Sequence, residues 1–79
     1  MPAQVTPDEL QARLVSRIRE LAKARRMSIE ELARRSDISQ RQIWNVLAGR
    51  SVPLLTFVAK VAAGLEVDPS VLFRPPRRS

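Results

Sequence analysis

The segment SIEELARRSDISQRQIWNVLAG, Ser28 to Gly49, carries the same helix-start signature twice. Ser28 stands three residues before Glu31, and Ser39 stands three residues before Gln42. Both are capping-box spacings, in which the first side chain accepts the N–H of the third helical residue. After Ser28, the residues Ile29, Leu32 and Ala33 give one apolar side to a helix of about two turns ending around Ser36. After Ser39, the inward positions are Ile43, Val46 and Leu47, with Ile38 placed as a staple and Gly49 as the stop. Asp37 falls where the chain must turn sharply, and Asp tolerates the left-handed region better than most residues, though less well than Gly.

Working outward, Thr6-Pro7-Asp8-Glu9 combines an N-cap, a proline at the first helical position and a further capping box. Leu10, Leu14, Ile18, Leu21 and Ala22 then recur at helical spacing, predicting one apolar face through about Arg26, with Val15 widening it. On the other side, Pro53 precedes a predicted helix from Leu54 to about Gly64, and Asp68-Pro69 opens a short fifth helix ending near Phe73. No strand pattern is present, so an all-α, five-helix fold is expected over residues 6–73. Residues 1–5 read as a disordered N-terminal tail, and residues 74–79 as a basic, proline-rich tail carrying Arg74, Arg77 and Arg78.

A chain of 79 residues makes one small domain. It has neither cysteine nor histidine, so no disulfide, no usual zinc ligand and no cofactor is expected. Met1 to Val5 lacks the features of a signal peptide and no stretch is long enough for a membrane span, which predicts a cytoplasmic protein. The net charge of +6 points to phosphate polymers or anionic membranes as partners. That charge is concentrated: residues 13–50 hold ten Lys or Arg against four acids, while residues 51–73 are close to neutral. Asp8, Glu9, Glu30 and Glu31 all follow helix starts, where carboxylates favour the positive end of the helix dipole. No nucleophile and base stand at a plausible spacing, which argues against an enzyme.

Two short helices joined by a turn of about four residues form a helix-turn-helix arrangement, whose second helix enters the DNA major groove. The chain resembles the Cro and phage-repressor (XRE) family over about residues 14–73. The resemblance is carried by Arg17-Ile18-Arg19-Glu20-Leu21, then Ser28, Glu31, Leu32, Ala33, Ile38, Ser39 and Ile43, then Gly49, Arg50, Pro53, Leu55, Lys60, Ala62, Leu65, Val67, Leu72 and Phe73. It implies a compact, lambda-repressor-like five-helix fold, operator binding and frequent dimerisation. Some positions depart from the pattern. Ile29 replaces a common phosphate-contacting Gln, Asp37 the usual Gly of the turn, and Glu66 a Gly after the fourth helix. Ala22 and Leu47 together replace an Arg–Glu pair, a double change that keeps the first and third helices compatible.

Carried over position by position, the base-reading residues are Gln40, Arg41 and Asn45, with Trp44 and Ala48 on the same side; the helical wheel agrees. Gln and Asn match the adenine edge and Arg the guanine edge. Phosphate contacts are expected from backbone N–H groups at the helix starts, Ser28 with Ile29 and Ser39, and from Arg50. The blander reading of Arg13, Arg17, Arg34 and Arg35 is a solvated helix face; for Trp44 it is a lid lying against the second helix.

The fourth helix has more apolar residues than one buried stripe can use: Leu54, Leu55, Phe57, Val58, Val61 and Leu65. Leu54 and Phe57, with Val67 and Val71, are therefore expected to face a second subunit, the alternative being that the first turn packs on the first helix. A symmetric dimer would read a palindromic operator in double-stranded DNA, most simply as a repressor. The chain length equally suits a restriction-modification controller or an antitoxin with a toxin partner. Ile29 is the feature favouring a protein-interaction module that has lost DNA binding. An RNA or membrane-surface binder is disfavoured because the first helix has no aromatic anchors.

Overall fold

Thr6, Ser28 and Ser39 each accept the backbone N–H three residues ahead, from Glu9, Glu31 and Gln42, at 3.1 Å in all three cases. These caps start the first three helices of the computed structural model, which describes residues 4–75. The elements are α1 (Pro7–Ala24), α2 (Ile29–Ser36), α3 (Gln40–Leu47) and α4 (Leu55–Leu65), followed by a 3-10 helix at Pro69–Phe73. Only half of each capping box forms as predicted. The Glu31 carboxylate turns away from Ser28 to Arg35, which donates from Nε at 3.0 Å. Tail residues Arg77 and Arg78 lie outside the described residues.

One predicted boundary and one predicted helix type differ, for identifiable reasons. Arg26 enters the left-handed region at φ 53, and the Met27 N–H bonds back to the Ala22 carbonyl at 2.8 Å, so α1 ends at Ala24. The predicted fifth helix is not an α-helix: four α-helices are present among the described residues, and Pro69–Phe73 winds as 3-10. Its bonds close three residues back: the Val71 N–H bonds the Asp68 carbonyl at 2.9 Å and the Arg74 N–H the Val71 carbonyl at 3.4 Å, the 3-10 pattern. Asp68 caps this turn, and hydrogen bonds from Ser70, side chain and then backbone, hold its carboxyl below the ordinary aspartate range.

The core draws on every element: Leu14, Ile18 and Ala22 of α1, Leu32 and Ala33 of α2, Ile43, Val46 and Leu47 of α3, five residues of α4 from Phe57 to Leu65, and Leu72. Leu10, predicted for the apolar face of α1, stays exposed at its rim. Arg13 is not a solvated side chain. It is half-buried and donates to the Phe73 carbonyl at 3.3 Å, pinning the 3-10 helix against α1. Ala22 and Leu47 are both buried, but α1 packs mainly on the 3-10 helix and α4 rather than on α3. No described helix is long and apolar enough to cross a membrane.

α2 packs most extensively against α4, and Ser36 meets Gly64 in that packing. Ser36 is buried, its hydroxyl has no hydrogen-bond partner among the described residues, and a Cβ on Gly64 would collide with that oxygen. The Ser36 Cβ and backbone nitrogen would both stand 3.1 Å away. Gly64→Ala gains up to ~1 kcal/mol in helix propensity. It loses ~1–3 kcal/mol to overpacking. The expected net is a destabilisation of about 1 kcal/mol, read from urea unfolding midpoints. Adding Ser36→Ala should recover part of the loss and not all of it, because the backbone nitrogen remains in place.

Candidate nucleic-acid interface

The turn between α2 and α3 fixes the angle at which α3 leaves the body. Asp37 adopts the left-handed conformation there, φ 57 and ψ 46, and the Ile38 N–H returns to the Ala33 carbonyl at 3.0 Å, closing α2 in a Schellman pattern. Ile38 then packs against the core, and Ser39 starts α3.

With Ile43, Val46 and Leu47 buried, the opposite side of α3 is presented outward. Gln40, Arg41 and Ala48 are exposed, Trp44 is 48% exposed, and Asn45 is half-buried. Arg41 and Asn45 line a cleft of about 360 Å³ against the loop between α3 and α4, walled on its far side by Val52, Pro53 and Leu54. Gln40 borders a second cleft, at the turn, with Glu30, Arg34 and Asp37. The first of these clefts carries one cation and two amides, Gln42 and Asn45, and the second mixes both signs of charge.

Helix starts leave backbone donors without helical partners. Because Ser28 takes the Glu31 N–H and Ser39 takes the Gln42 N–H, the N–H groups of Ile29 and Glu30, and of Gln40 and Arg41, are those left at the tips of α2 and α3. The Ile29 side chain packs on the core and offers no polar contact, so its backbone alone can serve an anion. At the other end of α3, the Arg50 N–H bonds to the Asn45 carbonyl at 2.8 Å, which ties the exposed Arg50 to the helix that carries Arg41. Gly49 makes this possible with φ 76, a conformation in which other residues are strained.

The residues expected at a subunit interface separate. Phe57 is 2% exposed and belongs to the core, which corrects its assignment to a partner surface. Four apolar positions within five residues, Leu54, Leu55, Phe57 and Val58, allow more than one helical phase, and the observed one turns Phe57 and Val58 inward. Leu54 (69% exposed), Leu55 (86%) and Val52 (80%) are left outside. Val67 and Val71 are half-buried, Val67 against the core. Leu55 borders an apolar cleft with Pro7 and Leu10 without being covered by α1, so the alternative of a first turn packed on the first helix is met only at this edge.

A helix-turn-helix domain family matches residues 13–72, most of the chain. The chain belongs to the helix-turn-helix domain family. Its structure is similar to that of the restriction-modification controller protein C.AhdI from Aeromonas hydrophila, with a TM-score of 0.74 and 29% identity over 86% of this chain and 100% of that one. It is also similar to a hypothetical transcription factor, NHTF, from Neisseria, with a TM-score of 0.81 and 30% identity over 96% of this chain and 88% of the other. No curated protein matches by sequence.

In this helix-turn-helix domain the turn residue departs from glycine at a cost. A left-handed L-residue is strained by up to ~1–2 kcal/mol, less for Asp, and glycine gives back part of any gain through its freer unfolded chain. Asp37→Gly should therefore raise stability by about 0.5 kcal/mol. Glu66→Gly, at φ 59 after α4, should gain more, because Glu lacks the short side chain that eases Asp into this region. Urea midpoints that rise at unchanged slope are the expected result for both.

Proposed function

We propose that this helix-turn-helix DNA-binding domain is a sequence-specific transcriptional regulator, a repressor that occupies a palindromic operator as a homodimer. The observation that carries the proposal is the arrangement of α3. Its back is locked in the core, and Gln40, Arg41, Trp44 and Asn45 stand on the side left to solvent or bordering it. Gln40 and Arg41 project from the first turn, which is where this motif reads base edges. Ser28 and Ser39 frame the helix tips that would hold phosphates, and Arg50 adds a cation at the far end of α3. Similarity to a restriction-modification controller along its whole length favours one particular role, control of restriction-modification genes.

The dimer rests on the exposed apolar residues Val52, Leu54 and Leu55, too many in one short stretch for a lone surface, with Val67 and Val71 contributing what they leave exposed. The two recognition helices would then sit about 34 Å apart, one turn of DNA. Leu54→Asp combined with Leu55→Asp should leave a folded monomer in sedimentation at concentrations where the unmodified chain is dimeric. An unmodified chain that sediments as a monomer, free and on DNA, would remove the dimer.

Selection of bound sites from random duplex DNA tests the reading directly. The expected outcome is a palindromic consensus. Arg41→Ala should relax one base position per half-site by ~1–3 kcal/mol. Arg50→Ala should weaken all sequences alike and lower the salt slope by about one. If no duplex is enriched, the protein-interaction module takes the place of the regulator.

A further inference from the structure

The loop from Gly49 to Leu54 joins the recognition helix to α4 and carries Arg50. Its own hydrogen bonds are local. The N–H groups of Gly49 and Arg50 return to the Val46 and Asn45 carbonyls of α3, and the Leu54 carbonyl starts the ladder of α4. Among the described residues, one hydrogen bond ties this loop to a distant part of the chain. Gln11 of α1 donates from Nε2 to the Ser51 carbonyl at 3.0 Å, across forty positions of sequence, with both residues half-buried.

Gln11 also stands where two clefts meet. One, of about 650 Å³, runs between α1 and the end of α3 at Leu47, Ala48 and Gly49. The other, of about 240 Å³, lies between α1 and the loop at Val52 and Pro53. Open space on both sides means that little packing holds the loop near Ser51, while Val52 next to it is among the most exposed apolar residues of the chain. The Gln11 amide bridges this gap.

We propose that Gln11 is a positioning residue for DNA binding: its hydrogen bond to the Ser51 carbonyl anchors the loop and thereby holds Arg50 in register with α3 for a phosphate contact. The proposal rests on the DNA-binding reading and assigns Gln11 no contact with DNA. A half-buried carbonyl that loses its donor turns to water, and the loop that carries it then samples more conformations. An Arg held less firmly contributes less to a contact that depends on orientation.

The test uses the full chain and the duplex enriched by selection. Gln11→Leu removes the donor at similar volume, and Gln11→Glu keeps the shape but offers only acceptors at neutral pH. Both should lower affinity about fivefold, the scale of one typical hydrogen bond. Both should also lower the salt slope toward that of Arg50→Ala. In an Arg50→Ala background, Gln11→Leu should cost nothing further, since the side chain it positions is gone. A purely structural role would lower the melting temperature yet leave the salt slope unchanged and the two substitutions additive, and that result overturns the proposal. Circular dichroism below the melting transition establishes that each variant is folded. Should the unmodified chain bind no duplex, the DNA-binding reading falls and takes this role with it; should it bind with Gln11→Leu equal to it in affinity and slope, only the role of Gln11 falls.

Discussion

Three buried side chains on the back of α3 hold its outward face in place. A helix of eight residues does not persist alone in water, because nucleation is costly and too few bonds follow it. Burial of Ile43, Val46 and Leu47 supplies what the short ladder lacks, at ~1.5–3 kcal/mol for each fully buried side chain. The Ser39 cap fixes where the helix begins and Asp37 fixes the direction from which it is approached. The outward placement of Gln40 and Arg41 follows from these constraints and needs no contact of its own. The outward face of α3 is thus a by-product of core packing, which lets its exposed residues vary without unfolding the domain.

The basic half of the chain divides between structure and surface. Arg13 is drawn inward to the carbonyl that ends the 3-10 helix, and Arg17 and Arg35 pair with Glu20 and Glu31 on their own helices. Arg17 is mostly buried and the Arg35–Glu31 pair more exposed, so the latter contributes little stability, but both turn positive charge away from other uses. Arg41 and Arg50 form no such bond among the described residues and flank α3 at its start and just past its end. Arg19, Lys23, Arg25, Arg26 and Arg34 are likewise exposed without such bonds among the described residues, but they lie on or beside α1 and α2, whereas Arg41 and Arg50 flank the helix that the core presents outward.

Features that depend on neighbours in sequence were legible before any coordinates. Caps, the left-handed turn at Asp37 and the inward set of α3 follow from short-range spacing, and all are found. The phase of α4 was not legible, because Leu54, Leu55, Phe57 and Val58 satisfy more than one apolar stripe, and only packing against the other elements selects Phe57 for the core. The 3-10 form of Pro69–Phe73 was missed because N-cap and proline signals are common to both kinds of helix. Gln11 and Arg13 left no sequence signal at all: their partners, Ser51 and Phe73, are forty and sixty positions away, and nothing local marks a side chain that caps a distant carbonyl.

Amide chemical-shift mapping of the free protein titrated with its selected duplex tests the outward face of α3 most directly. Shifts concentrated at the starts of α2 and α3, at Gln40, Arg41, Trp44 and Asn45, and at Arg50 are the expected result. Shifts confined to α4 and the 3-10 helix, with α3 unmoved, would contradict it.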